Sequence, residues 1–137
     1  MSELKYKRIL LKVSGEALGE KTERGDGFGL NFKKIAEVCT AIRECTDMGV
    51  QVGLVIGGGN FWRGVKNGEG KLQRSHADAM GMLATVMNAI AVADVLEQHG
   101  MDARVLTAVE IHKFAEYFTR DLAHRYLNEG KVVIFAG

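Results

Sequence analysis

The sequence predicts an α/β protein of three layers, in which helices cover both faces of a mostly parallel sheet. Apolar segments rich in β-branched residues alternate with amphipathic segments, in the order strand, helix, strand, helix, strand, helix, strand. Strands in such an order are joined by right-handed crossovers and lie parallel. The 137 residues, 47% of them hydrophobic, have the size and composition of one ordinary domain.

Four apolar segments are the predicted strands. The second is nearly continuous in apolar residues, which is typical of a strand covered on both faces. In chain order they are Lys7–Val13, Gln51–Ile56, Ala103–Ala108 and Lys131–Ala136. Residues 14–29, rich in glycine and charge, predict a long loop after the first strand, and the stretch around Phe114, Tyr117 and Phe118 is ambiguous.

Three segments are the predicted helices. Asn31 can cap the first, and Gly49 lies where a glycine ends a helix. Its apolar positions recur every three or four residues, at Ile35, Val38, Ile42 and Cys45. The second helix runs from about Ser75 to Gln98 and the third from about Thr119 to Asn128. The second is apolar on two sides, which predicts burial on both: Met80, Leu83 and Met87 on one, and Met82, Val86 and Ile90 on the other.

Composition disfavours several functional classes. The formal net charge of +1 gives no overall field for holding nucleic acid or an anionic membrane. The N-terminal segment lacks the apolar core of a signal peptide, and no uninterrupted apolar run approaches the roughly 18 residues that cross a bilayer. Cys39 and Cys45, six positions apart on one predicted helix, are too far apart for a disulfide. These features predict a reduced, cytoplasmic protein.

Glycine-rich loops follow the predicted strands. Ligands of parallel sheets bind at the carboxyl ends of the strands, here after Val13, Ile56 and Ala136. Gly57, Gly58 and Gly59 allow positive φ and exposed N–H groups, which predicts a nest for phosphate oxygens.

Lys12, at the end of the first strand, can offset charge on a phosphoryl group, or it can extend into water as surface lysines usually do. Ser14 and Gly15, which follow it, would lie beside the three glycines if the first two strands are neighbours. Such proximity favours the functional interpretation.

The residues after the glycines leave alternatives open. Arg63 is suited to phosphate by its planar guanidinium, or is a solvated loop charge. Phe61 and Trp62 can stack on a base, although anchoring of the loop is the more common role. Asp78 near the start of the second helix can bind the hydroxyls of a sugar, or be a first-turn acid that interacts with the helix dipole.

Other common sites are not predicted. The four histidines have no spacing or acidic neighbours that would form a metal site. A P-loop motif is absent, and Gly25-Asp26-Gly27-Phe28-Gly29 does not match the dinucleotide fingerprint because position 30 is leucine. Phosphate handling is the chemistry that the sequence favours.

Several motifs together closely resemble the bacterial uridylate kinases of the amino acid kinase superfamily. They are Tyr6 to Leu18 (YKRILLKVSGEAL), Gly27-Phe28-Gly29, Val55 to Asn60 (VIGGGN) with Arg63-Gly64, and Asp78 with Met80 to Asn88 (MGMLATVMN). The resemblance implies an amino acid kinase fold and transfer of the γ-phosphoryl group of ATP to UMP, with Mg²⁺ carried on the phosphates and no metal site in the protein.

The resemblance also implies roles for individual residues. Lys12, Val13, Ser14 and Gly15 would bind ATP phosphates, with Lys12 stabilising the transition state, and Gly59 and Arg63 would also bind ATP. Gly58 and Asp78 would bind UMP, and Gly25 to Gly29 would belong to an allosteric segment. A GTP effector and a homo-oligomer, a dimer or hexamer, are the further implied partners.

Length is the main departure from the family. Family members continue past the position of Gly137 with a Gly-Thr-Gly-Asn-Pro-Phe-type loop that grips UMP, followed by the adenine pocket. We therefore expect residues 1–137 to be a single nucleotide- and UMP-binding lobe, truncated after about four core strands and without the C-terminal ATP-binding portion. Gln73 to Ala77 (QRSHA), before Asp78, also departs from the family pattern. The alternatives are an inactive binding or assembly module and another amino acid kinase.

Overall fold

The computed structural model of the chain describes residues 5–22, 25–62 and 70–137, and builds them into one parallel sheet, a small hairpin and three helices. The strands are β1 Arg8–Val13, β2 Glu20–Thr22, β3 Gly25–Phe28, β4 Gln51–Ile56, β5 Ala103–Thr107, β6 Glu116–Tyr117 and β7 Val132–Ala136. The helices are α1 Phe32–Asp47, α2 Arg74–Gln98 and α3 Arg120–Asn128, with a short 3₁₀ helix at Gly15–Leu18. The sheet has the order β1-β4-β7-β5-β6, and β2 pairs with β3 separately.

The predicted α/β class and all four predicted strands are confirmed, and two short features correct the prediction. Residues 14–29 contain the 3₁₀ helix and the antiparallel hairpin β2–β3 rather than only a loop. The hairpin was missed because Gly25–Phe28 has one large apolar residue and so no strand periodicity. β6 is only two residues long, yet it pairs with Leu106 and Thr107 and adds a fifth strand at the edge, beside the four predicted core strands.

Helices lie on both faces of the sheet, as predicted. α1 and α2 pack on one face and bury its central side chains with their own, among them Ile35, Ile42, Leu54, Val92, Leu96 and Ile134. α3 packs on the opposite face in a smaller cluster with Leu106, Ala123, Tyr126, Leu127 and Val133. The larger core therefore sits on the side of α1 and α2, and part of the α3 side remains open.

The predicted helix boundaries of α1 and α3 are set by capping. The Asn31 side chain accepts hydrogen bonds from the N–H groups of Lys33 and Lys34, at 3.0 and 3.2 Å. At the other end of α1, Gly49 has a φ of +86°, the left-handed conformation expected of a terminating glycine. The Thr119 hydroxyl caps α3 by accepting from the N–H of Leu122 at 3.1 Å.

Burial of α2 on two sides is wrong for this single chain. One side of the helix is buried on the sheet through Ala84, Val86, Ala89 and Val92. The other apolar residues, Met80, Met82, Leu83, Met87 and Ile90, are 41 to 53% exposed. By length and composition alone, α2 could cross a membrane. This is weak evidence for a membrane span, because core helices of globular proteins pass the same test.

Both cysteines are free thiols on α1, as the spacing predicts. Cys39 is buried in the core and Cys45 is partly exposed. Burial raises the pKa of the Cys39 thiol to about 11, since the thiolate would lose its hydration there. Cys39 is therefore a core residue and is chemically protected.

Candidate functional site

The loops predicted to carry function meet at one edge of the sheet. β1 and β4 are parallel neighbours, with Lys12 opposite Val55 and Val13 opposite Ile56. β7 lies on the other side of β4, and the Gly137 N–H that follows it donates to the Thr85 hydroxyl of α2 at 2.8 Å. Adjacency of the first two strands, on which the predicted phosphate site depends, is confirmed.

Residues 57–60, the glycine turn, differ in detail from the predicted nest. None of Gly57, Gly58 and Gly59 has a positive φ. The Gly57 N–H is also occupied, since it donates to the Val13 carbonyl at 3.0 Å and continues the β1–β4 ladder. Among the described residues, the N–H groups of Gly58 and Gly59 donate no hydrogen bond. Of the three glycine N–H groups, two are therefore available to an anion.

Position 58 requires glycine because the turn packs closely on α2, and not because its backbone has a positive φ. A Cβ atom there would lie 2.8 Å from the Cβ of Ala84 and 3.0 Å from the carbonyl oxygen of Gly81. The turn thus lies directly against the N-terminal half of α2. Any larger residue would push the turn away from the helix.

The loop after β1 packs against the glycine turn. Gly15 is buried, and a Cβ atom there would lie 2.5 Å from the backbone nitrogen of Gly59. Ser14 stays exposed and its hydroxyl caps the 3₁₀ helix by accepting from the Ala17 N–H at 3.3 Å. The predicted ATP-contacting residues Ser14, Gly15 and Gly59 are therefore brought together.

Lys12 is exposed at the carboxyl end of β1 and lies on the same face of the strand as Arg8 and Leu10. Within the described parts of the chain, no hydrogen bond or ion pair occupies its ammonium group. An unpaired ammonium at the end of the strand that leads into this loop can attract a phosphate group.

The residues after the turn anchor it to α2. Trp62 donates from Nε1 to the carbonyl oxygen of Ala77 at 2.8 Å, and the N–H groups of Phe61 and Trp62 both donate to the Gly58 carbonyl, at 3.0 and 3.1 Å. Anchoring, the more common of the two roles weighed for Trp62, is what these contacts provide. Arg63, predicted to bind ATP, lies outside the described residues.

Asp78 lies in the second turn of α2 and not in its first turn, which carries no acidic residue. The first-turn interpretation is therefore wrong. The carboxylate is paired with Arg74 at 3.7 Å, and the side chains of Asp78 and Arg74 are 53% and 80% exposed. Because Ala77 and Gly81 contact Trp62 and Gly58, this part of the helix borders the glycine turn, as a sugar-binding role requires.

The predicted allosteric segment Gly25 to Gly29 forms β3 and the residue after it. The side chain of Asp26 lies outside the described residues. Gly27 is buried, whereas Phe28 is exposed. Gly29 contacts the glycine turn directly, since its N–H donates to the carbonyl of Asn60 at 2.9 Å.

Sequence reasoning missed a pair of buried asparagines next to the turn. The side-chain amides of Asn60 and Asn88 are fully buried and hydrogen-bonded to each other. Both residues fall within the motifs quoted above, but their separation of 28 positions gives no local signal of a contact. The available indication was that Asn88 is a polar residue on a largely apolar stretch of α2.

A cavity of about 370 Å³ lies beside the ends of β4 and β7. Its lining is mostly apolar and includes Val55, Thr85, Phe118, Phe135 and Gly137. It adds an apolar compartment next to the polar groups of the two loops.

Comparison with known proteins identifies the fold family. The amino acid kinase family model matches residues 7–137. The chain belongs to the amino acid kinase family. It is 46% identical to a uridylate kinase of Limosilactobacillus reuteri strain DSM 20016 over 138 aligned residues, which cover the whole chain and 55% of that protein.

Solved structures of this family have the same architecture. A UMP kinase from Bacillus anthracis superposes with a TM-score of 0.87 at 36% identity, covering 96% of this chain and 52% of that one. A UMP kinase from Ureaplasma parvum gives a TM-score of 0.85 at 28% identity, covering 97% and 55% respectively. This amino acid kinase chain therefore spans about half the length of the relatives it matches.

Proposed function

We propose that the chain serves the transfer of the γ-phosphoryl group of ATP to UMP, giving UDP and ADP. One observation carries the proposal: Ser14 and Gly15, which directly follow Lys12 and Val13 at the end of β1, pack on the glycine turn where β1 and β4 end. The names of its relatives, uridylate kinase and UMP kinase, support the choice of substrate. Phosphoryl transfer needs cations and backbone donors more than a nucleophile, and these loops supply both.

The ATP phosphates are assigned to Lys12, Val13, Ser14, Gly15, Gly59 and Arg63. The free N–H of Gly59 and the Ser14 hydroxyl would donate to phosphate oxygens. The Lys12 ammonium would stabilise the charge that accumulates on the transferred phosphoryl oxygens, an interaction that strengthens in the transition state.

UMP is assigned to Gly58 and Asp78. The Gly58 N–H would donate to the UMP phosphate. Asp78 would accept hydrogen bonds from the ribose hydroxyls, and it can do so at little cost because its exposed pair with Arg74 contributes only about 0.3–0.5 kcal/mol.

In the part of the chain that the structure describes, the residues do not fit a protein site for Mg²⁺. No group of three or more histidine, cysteine or acidic side chains at metal-binding distance occurs in the described ranges. In this proposal, Mg²⁺ arrives bound to the triphosphate.

The remaining assignments concern assembly and context. Residues 1–137 form one nucleotide- and UMP-binding lobe in this proposal, and the protein acts in the cytoplasm. α2 joins copies of the chain through its exposed methionines, as a dimer or within a hexamer. GTP acts as an effector through Gly25 to Gly29, which contact the glycine turn through Gly29.

The purified chain tests the activity directly. ADP and UDP are quantified by chromatography after incubation with ATP, Mg²⁺ and UMP, with CMP, glutamate and aspartate as alternative acceptors. UMP-dependent formation of both products, lost in Lys12→Met, supports the proposal. Phosphorylation of glutamate or aspartate instead would indicate another amino acid kinase.

A second candidate, an assembly module without chemistry, is favoured by one observation. Five large apolar side chains of α2 are 41 to 53% exposed, and clustered exposed apolar residues mark interaction surfaces. A folded chain that self-associates, yet turns over neither nucleotide, would support this candidate and contradict the first.

A further inference from the structure

The buried amides of Asn60 and Asn88 form a closed hydrogen-bonded pair. Asn60 Nδ2 donates to Asn88 Oδ1 at 3.0 Å, and Asn88 Nδ2 donates back to Asn60 Oδ1 at 2.7 Å. Each amide has a second N–H. Asn60 uses it on the Gly29 carbonyl at 2.8 Å, and Asn88 on the Gly57 carbonyl at 2.7 Å. Every N–H of both side chains is therefore satisfied.

The pair connects the loop after β1, the glycine turn and the segment before α1. Asn60 is itself the last residue of the glycine turn, and Asn88 belongs to α2. A Cβ atom on Gly15 would lie 2.7 Å from Asn60 Oδ1, so the loop after β1 rests on this amide. Gly29 is held twice, by its carbonyl on the Asn60 side chain and by its N–H on the Asn60 carbonyl at 2.9 Å.

Packing alone does not explain two amides at this place. The buried positions of α2 around Asn88, namely Ala84, Val86, Ala89 and Val92, are apolar. An apolar pair would fill the space but would fix no carbonyl, because hydrogen bonds are directional and apolar contacts are not. The Gly57 carbonyl, which Asn88 fixes, belongs to the same peptide unit as the unbonded Gly58 N–H.

We propose that Asn60 and Asn88 are positioning residues that orient the Gly57–Gly58 peptide and Gly29, and thereby aim the free N–H groups of the glycine turn at phosphate. The proposal rests on the proposed function for the identity of the ligand. It makes the geometry of the phosphate site depend on α2 and on the segment before α1.

The test compares ¹⁵N-labelled wild type with Asn88→Ala and with a control, Thr119→Ala. The control loses the N-cap of α3 and is therefore destabilised away from the turn. ATP and UMP are titrated separately, following the Gly58 and Gly59 amide resonances. We expect Asn88→Ala to weaken binding by at least about tenfold, the effect of one buried hydrogen bond, and Thr119→Ala to bind like wild type. Equal affinities in the two variants would overturn the proposal.

Hydrogen exchange separates this proposal from the proposed function. If wild type binds neither nucleotide, the proposed function fails, and exchange at Gly29 then decides the positioning role. We expect Gly29 to exchange about tenfold faster in Asn88→Ala and unchanged in Thr119→Ala, since only the first loosens its acceptor. Unchanged exchange in both variants would contradict the role.

A further measurement covers the case in which Asn88→Ala does not fold. In wild type, the side-chain amide protons of Asn60 and Asn88 should exchange as slowly as the backbone of β7. Exchange at the rate of a solvated amide would overturn the proposal without any variant. Asn60→Ser, which keeps a hydroxyl donor, then replaces Asn88→Ala in the titration.

Discussion

The indole nitrogen of Trp62 and the carbonyl oxygen of Ala77 lie 2.8 Å apart, and this hydrogen bond ties the glycine-rich turn to the start of α2. Replacement of Trp62 by Phe keeps an aromatic ring and removes the donor. We expect the free energy of unfolding to fall by about 1 kcal/mol, the usual net worth of such a bond. Urea unfolding followed by circular dichroism measures it, and an unchanged midpoint would show that the bond contributes nothing.

Two glycines that face each other across the turn and α2 should respond oppositely to alanine. Gly58→Ala places a Cβ 2.8 Å from the Cβ of Ala84. We expect this overpacking to lower the free energy of unfolding by about 1–3 kcal/mol. Gly81→Ala meets nothing closer than 3.9 Å, and alanine favours a helix interior by about 1 kcal/mol. Thermal unfolding of both variants checks the signs. The same sign for both would contradict the packing described for Gly58.

Lys12→Met should separate activity from stability. Because Lys12 is exposed and its ammonium is unpaired among the described residues, we expect the free energy of unfolding to change by less than about 0.5 kcal/mol. Phosphoryl transfer should lose about 2.7–4 kcal/mol of transition-state stabilisation, as when one preorganised donor is removed. Lys33→Met, another exposed lysine, on α1, is the matched control and should keep full turnover. Equal turnover of Lys12→Met and wild type would remove Lys12 from the mechanism.

The exposed apolar side of α2 predicts self-association. Met87, which is 53% exposed, can be replaced by Glu without disturbing the core of the single chain. We expect light scattering at micromolar concentration to show a multimer for wild type and a monomer for Met87→Glu. Met48→Glu, at an apolar position 60% exposed after α1, should assemble like wild type. A monomeric wild type would rule out association through α2.

Alkaline pH should destabilise the fold through Cys39. Its pKa is raised by burial from 9.0 to about 11, so between these values the unfolded chain loses a proton that the folded chain keeps. The contribution of the protonated Cys39 thiol to the free energy of unfolding is therefore complete below about pH 9 and is lost as pH rises towards about 11. Urea unfolding midpoints across this range measure how steeply stability falls with pH. The fall should be less steep in Cys39→Ala. Equal slopes would show that the thiol does not titrate differently on folding.

Local signals in the sequence explain which elements were predictable. Asn31, Gly49 and Thr119 mark helix ends by chemistry that depends only on neighbouring residues, and the structure places helix ends there. The two-residue strand β6 forms only because β5 offers an edge for pairing, so its own sequence carries no strand pattern that would predict it. Longer-range features were missed for the same reason. The Asn60–Asn88 contact depends on how α2 crosses the turn, and so does the close approach at Gly58.

The position of β1 at one border of the sheet has a consequence for solubility. In the part of the chain that the structure describes, β1 pairs with β4 alone, and Leu10 on it is 64% exposed. Such a border can template the addition of a strand from another molecule. Arg8 and Lys12 flank Leu10 on the same face, and their like charges repel a second copy of β1. Salt screens that repulsion, so the chain should be least prone to aggregate in dilute buffer.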